Sequence, residues 1–311
     1  MKNSNPNIVK HSITFLFEWR PYSPYRFAMY FLMYASMPMF FYGIQSYNLE
    51  IIKIIIFTII VMYTGFFAAI IWNDICDVNI DRIAHPKRAV PTGKISKKKF
   101  FGIALVFSGI VFIFSYMISL KCFLFVGVAA LFVAFHNKYL RRIIRIPAYS
   151  EIVTPLQWTI VPIFGFLAVN SSNVLDMLFL VIFTYLTDGA HDLPEGIHDA
   201  EGDRRDGIRT YTTSFNERAS AKVSFTMLFV AGVVGFILYY STSLTPIFLI
   251  PFLLLWAYTL YISYRYLKMK KEEMEKFGLS TGLKIYRFFW ATYVFIFIDI
   301  FTQIVNLHFF S

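Results

Sequence analysis

Cysteine and charge are what this 311-residue sequence has least of. Only Cys76 and Cys122 occur, which excludes a disulfide scaffold and a cysteine-rich zinc site. Charged residues make up 15% of the chain, against roughly a quarter in ordinary soluble domains. With 57% of residues hydrophobic and 20% aromatic, there is too little polar surface to coat a soluble fold of this length. The formal net charge of +10 invites nucleic acid. Basic nucleic-acid surfaces sit on polar domains, however, and here the basic residues lie between long apolar runs, so nucleic acid is excluded as a partner and a lipid bilayer is the expected solvent.

A helix needs about 20 apolar residues to cross ~30 Å of hydrocarbon. Runs of that order lie near 27–46, 51–72, 101–120, 122–140, 152–169, 173–190, 222–242, 245–267 and 285–308. They are too long for barrel strands, and an open sheet edge in lipid would strand backbone polar groups, so the expectation is an all-α bundle of about nine transmembrane helices. The first run begins only after Lys10, Arg20 and Arg26 and has no small-residue cleavage pattern, so it is expected to be a retained helix. Of the 29 Lys and Arg residues, 27 fall before the first span or around the loops after spans two, four, six and eight; only Lys53 and Lys121 fall on the other side. The positive-inside rule converts that asymmetry into an N-in, C-out topology.

The acids gather on the same side. Span two ends in Asn73-Asp74-Ile75-Cys76-Asp77-Val78-Asn79-Ile80-Asp81. If the helix continues, Asn73, Asp77 and Asp81 share one face at i, i+4 and i+8, with Asp74 beside them. Like charges at that spacing repel, and acids at a helix C-terminus oppose its dipole, so a neutralising cation explains the pattern better than a solvated helix end. Span six is followed by a second cluster in which Asp199 and Asp203 repeat the i, i+4 spacing. Asp192 and Glu195 would extend its face, although Pro194 and Gly196 argue against a continuous helix there. All-oxygen donors favour a hard cation, and Mg2+ is commonly held by one or two carboxylates together with phosphate oxygens. Two facing clusters therefore predict a phosphorylated ligand between them. His191 and His198 stand among the acids, but no further His or Cys joins them there, and they are read with His85 and His136 as ordinary polar residues. The basic residues nearby, Arg82, Lys87, Arg88 and Lys94 after the first cluster and Arg204, Arg205 and Arg209 after the second, are available to a phosphate or to anionic lipid. Arg141, Arg142 and Arg145 stay ambiguous between the two.

These motifs resemble the UbiA-type intramembrane prenyltransferases. Asn73, Asp74, Asp77 and Asp81 match the family's N-D-x-x-D-x-x-x-D, Asp199 and Asp203 its D-x-x-x-D, and Arg20-Pro21 the arginine-proline that opens its first helix. Pro86 to Ser96 looks like its R-P-x-P-S/T-G-x-I-S stretch. The string Glu201-Gly202-Asp203-Arg204, then Gly207-Ile208-Arg209-Thr210, is similar to the branch of geranylgeranylglyceryl phosphate geranylgeranyltransferases and chlorophyll synthases, with departures at Ala89, Arg209 and Glu195 to His198. The resemblance implies one integral-membrane prenyltransferase domain over 1–311, with 1–19 as a polar N-terminal segment, a Mg2+ cofactor, an isoprenoid diphosphate donor and a lipophilic acceptor, with geranylgeranylglyceryl phosphate the branch's choice. It implies Asn73, Asp74, Asp77, Asp81, Asp199 and Asp203 as metal ligands, the last four of the aspartates as catalytic, and Arg20, Arg82, Arg88, Lys94, Arg204 and Arg209 as diphosphate partners. The active site is expected on the cytoplasmic face. The alternatives are an aromatic or quinone-precursor acceptor, a terpene cyclase working on the diphosphate alone, and a transporter with an ion pathway.

Overall fold

The computed structural model describes residues 24–45 and 47–309, so Arg20 and the 1–19 segment lie outside the described residues. The described chain is helical: α1 (Pro24–Tyr42), α2 (Leu49–Cys76), α3 (Val78–Ala84), α4 (Lys97–Ile118), α5 (Leu120–Ile143), α6 (Tyr149–Ala168), α7 (Val174–Asp206), α8 (Glu217–Ser241), α9 (Pro246–Leu267) and α10 (Lys271–Phe309). Each of the nine expected spans falls on one of these helices. Eight of them, all but α1 and the short α3, are long and apolar enough to cross a membrane.

Short polar residues start the helices where their side chains take up orphan backbone donors. Asn48 Oδ1 accepts from Ile51 N at 3.0 Å, Ser119 Oγ from Cys122 N at 3.1 Å and Asn216 Oδ1 from Ala219 N at 2.8 Å. The most elaborate cap is at α9. There Asp299, fully buried on α10, accepts from Thr245 N at 2.7 Å, Phe248 N at 3.1 Å, Thr245 Oγ1 at 3.0 Å and Gln303 Nε2 at 2.7 Å. A carboxylate inside a membrane bundle is costly, and the positive end of a helix is one of the few protein environments that offsets the cost.

The expected break at Pro194 and Gly196 does not occur: α7 runs through both without interruption. Proline removes the N–H that would bond the Ala190 carbonyl. Ser224 on α8 replaces it, its hydroxyl donating to Ala190 O at 2.6 Å. In a bundle the carbonyl freed by proline is met by a neighbouring helix, so the helix continues. On the other side α10 comes against the same stretch through Gly278 and Gly282. A Cβ on Gly278 would stand 2.3 Å from Pro194 O, and one on Gly282 would stand 2.4 Å from Glu195 Cγ. Small residues four apart let the two backbones approach this closely.

At 33 residues α7 is about 50 Å long, and α2 at 28 is about 42 Å, both longer than the ~30 Å hydrocarbon slab. Their C-terminal turns, which carry the two acidic clusters, therefore reach the edge of the hydrocarbon.

Candidate active site

α2 and α3 form one helical path with a joint. Asp77 sits at the joint with φ −99° and ψ 17°. The backbone N–H groups of Asp77, Asp81 and His85 still donate to Asn73 O, Asp77 O and Asp81 O at 2.8, 2.9 and 2.9 Å, so the expected helical face survives. Asn73, Asp77 and Asp81 on this path, and Asp199 and Asp203 on α7, all line one cavity of about 740 Å3. That is the size of a pocket for a lipid-like or drug-sized ligand. Asp74 is buried but does not line the cavity; it stands behind Arg88, 3.7 Å from Nη1.

Two arginines supply the cavity's positive charge. Arg88 Nη1 donates to Asp81 Oδ1. Arg141 is the one that sequence reasoning left ambiguous. In α5 the ladder widens into a π turn over His136–Leu140, the kind of irregularity that gathers near functional sites. Beyond it Arg141 Nη1 donates to Asp77 Oδ2 at 2.9 Å and to Asn73 Oδ1 at 3.4 Å. Arg142 Nη2 donates to Asp77 Oδ1 at 3.0 Å and to Asp206 Oδ2 at 3.2 Å, tying the ends of the two cluster-bearing helices together. Of the other expected diphosphate partners, Arg82, Lys94, Arg204 and Arg209 are exposed and do not line the cavity. Arg204 instead lies 3.5 Å from Glu217. The reason is local geometry: Arg82 follows Asp81 by one residue and Arg204 follows Asp203 by one, and adjacent residues on a helix point about 100° apart.

The histidines are less ordinary than their setting in the sequence suggests. His136 is buried and 3.3 Å from Thr154 Oγ1, as a structural histidine would be. His85 Nε2, however, is 3.2 Å from Asp199 Oδ1, joining α3 to α7. His191 is buried on the cavity wall, its ring 4.3 Å from that of Tyr286, its Nδ1 3.3 Å from Asp188 Oδ1 and its Nε2 3.7 Å from Asp192 Oδ1. Ligand-capable atoms of His191, Asp192 and Glu195 all lie within 4.8 Å of one another. Glu151, on α6, lines the same cavity; it accepts from Tyr211 N through Oε2, and its Oε1 comes so close to Gly196 that a Cβ there would stand 2.2 Å away. Burial and the Glu151 carboxylate push the Tyr211 hydroxyl pKa up. Glu151, Asp188 and Tyr286 were not anticipated. For Asp188 a signal existed, since it lies within the 173–190 apolar run and a carboxylate there is a functional hint in itself.

Away from the acids the lining becomes apolar and aromatic, with Tyr34, Phe66, Phe112 and Trp158 on the wall. Leu105 and Leu131 also line the cavity and are 56% and 61% exposed, so it opens through the wall between α4 and α5 onto the outer, lipid-facing surface. The donor set fits a hard cation: four aspartates and an asparagine, oxygen donors all, line one cavity.

Known proteins share this architecture. A digeranylgeranylglyceryl phosphate synthase from Thermococcus sibiricus is 26% identical over 189 residues, covering 60% of this chain and 66% of that protein. The protein of the same name from Pyrococcus horikoshii is 28% identical over 192 residues, covering 61% and 64%. The matched stretches thus span a little under two thirds of these relatives. Among solved structures, the apo UbiA homologue from Aeropyrum pernix K1 superposes with a TM-score of 0.67 at 15% identity, over 91% of this chain and 99% of that one. A UbiA homologue from Archaeoglobus fulgidus bound to DMAPP and Mg2+ gives 0.54 at 15% identity, over 86% and 96%. Residues 29–293 match the family as a whole, and the chain belongs to the UbiA prenyltransferase family.

Proposed function

We propose that this chain is a Mg2+-dependent prenyltransferase that moves a prenyl group from an isoprenoid diphosphate to a lipophilic acceptor inside the membrane. The observation that carries the reading is the meeting of Asp77, Asp81, Asp199 and Asp203 with Arg88 and Arg141 at the mouth of one apolar cavity. The Archaeoglobus homologue, which binds DMAPP and Mg2+, supports it. In this reading the four aspartates and Asn73 hold Mg2+, with Asp74 fixing Arg88 from behind. The metal supplies the Lewis-acid charge that favours departure of the diphosphate.

The chain's own residues do the rest. Arg88 and Arg141 bind the diphosphate and stabilise the charge that develops on it, more strongly in the transition state than in the ester. Their guanidinium groups are already held by Asp81 and Asp77, so little is lost in ordering them. The exposed Arg82, Lys94, Arg204 and Arg209 attract the anionic donor from a distance without touching it. The prenyl tail lies among Phe66, Phe112 and Trp158, whose ring faces favour an allylic cation and whose bulk excludes the water that would quench it. The α4–α5 opening lets tail and acceptor enter from the bilayer. The positive-inside asymmetry assigns the mouth to the cytoplasmic face.

Metal-dependent release of diphosphate from a radiolabelled prenyl diphosphate tests the reading. It should vanish in EDTA, return with Mg2+, and fall at least ~1000-fold in the Asp77→Ala, Asp203→Ala double variant. Full activity in that variant would sink the proposal.

A further inference from the structure

A second groove, of about 450 Å3, lies where α2 and α5 end and α4 begins. Trp72, Ile75 and Cys76 of α2, Lys97 and Phe101 of α4, and Lys138 and Arg142 of α5 line it, and no acid does so among the described residues. Arg142 is held by Asp77 and Asp206, whereas no carboxylate among the described residues pairs with Lys97 or Lys138. Lys97 opens α4 in the turn that Ser96 caps, with Lys98 and Lys99 after it and no acid in that turn. Three cations at the positive end of a helix oppose its dipole, and an anion seated there relieves them. The rest of the groove is apolar. Lys138 Nζ lies 5.7 Å from the Trp72 ring and 4.9 Å from that of Tyr139, and tryptophan, tyrosine and lysine in this company mark the level of the lipid headgroups. Deeper in the bilayer, Phe101 is followed by Leu105 on α4, and Lys138 is preceded by Phe135 and Leu131 on α5; all four apolar residues are exposed.

We infer that this groove holds the phosphate headgroup of an anionic membrane lipid, with Lys97 and Lys138 on its phosphate oxygens, Arg142 supplying fixed positive charge beside them, and a chain lying along the α4–α5 seam. A cationic seat continued by an apolar track suits an amphiphile. An inorganic anion makes no use of the rings and leucines, and a neutral lipid makes none of the lysines. Basic pockets between membrane helices on the positive face are where anionic headgroups bind. Trp72 and Phe101 line both the groove and the catalytic cavity, and Leu105 and Leu131 flank the cavity's side opening. The bound lipid thus stands at that doorway, beside the residues that do the chemistry and not among them.

The full-length chain in phosphatidylcholine vesicles is titrated with phosphatidylglycerol brominated near the glycerol end of its chains, and separately with phosphatidylcholine brominated at the same place. The readout is quenching of Trp72, taken as the difference from Trp72→Phe. Two lysines at headgroup level should give phosphatidylglycerol a preference of roughly 30-fold. Lys97→Gln with Lys138→Gln should bring the preference below roughly 3-fold. Lys98→Gln with Lys99→Gln removes the same charge from the same membrane face but outside the groove, and should leave the preference above roughly 10-fold. Equal quenching by the two lipids, an unchanged preference in the Lys97, Lys138 double variant, or an equal loss in the Lys98, Lys99 double variant overturns the inference. So does displacement of the brominated phosphatidylglycerol by inorganic phosphate at the same concentration, since a site for the charge alone takes the free anion as readily. No readout involves turnover, so the inference stands or falls apart from the prenyltransferase reading.

Discussion

The continuity of α7 through Pro194 rests on one hydroxyl, and that dependence can be measured. Ser224 Oγ gives Ala190 O the hydrogen bond that the missing proline N–H would have given, at 2.6 Å and with Ser224 itself 1% exposed. Ser224→Ala leaves the carbonyl buried and unpaired. In a soluble core that costs about 1–3 kcal/mol. Between membrane helices such bonds average about 0.6 and reach about 1.7 kcal/mol, because the unfolded chain in lipid also finds partners. The expected loss is about 1–1.5 kcal/mol. Pro194→Ala returns the backbone donor, so in that background the Ala190 carbonyl has its own i→i−4 bond and Ser224→Ala should cost less than about 0.5 kcal/mol. The difference, a coupling of about 1 kcal/mol, is the prediction. Unfolding of the four proteins by SDS in mixed micelles, followed by tryptophan fluorescence, gives the cycle. An equal cost of Ser224→Ala in both backgrounds would refute the replacement of the proline's hydrogen bond.

The remaining predictions concern a distant cap and the tail cavity. Asp299→Ala removes three hydrogen bonds at the start of α9 and one from Gln303 on α10, and should lower unfolding stability by about 2–4 kcal/mol, Asp299→Asn by less, with activity per folded molecule unchanged because Asp299 does not line the cavity. Ala69→Phe places a ring in the apolar lining and should cut kcat/KM for a C20 donor at least ~10-fold relative to a C10 donor, read by diphosphate release.

Much of the fold was legible because a bilayer simplifies the problem. Backbone groups in lipid must pair within their own segment, so apolar run length alone located every long helix and the basic loops supplied an expected topology. The ends were harder to place. Hydropathy sees only the part of a helix that lies in hydrocarbon, and α2, α7 and α10 extend well past it, to Cys76, Asp206 and back to Lys271, on polar residues that favour no solvent change. The misjudged break at Pro194 has the same root. A rule built on single helices counts the lost N–H as lost, whereas the Ser224 hydroxyl that replaces it lies thirty residues away in sequence and directly across an interface in space.

The site divides along similar lines. The paired aspartates could be read because their spacing is local, and a helical i, i+4 repeat survives even the joint at Asp77. Their counter-ions could be read only in part. Among basic residues near the clusters in sequence, Arg88 reaches the cavity, while Arg141 reaches it from another helix, 64 residues from Asp77. Sequence proximity favoured Arg82 and Arg204, the neighbours that helical geometry turns away. The deep carboxylates were hidden for a different reason. Asp188 and Glu151 sit at the ends of apolar runs, where an acid is easily taken for the first residue of a solvated loop. Only the overlong helices show that these positions lie inward of the clusters. A carboxylate there is not a surface charge, and inside an apolar bundle it has to be matched by a hydrogen bond, a counter-charge or a proton.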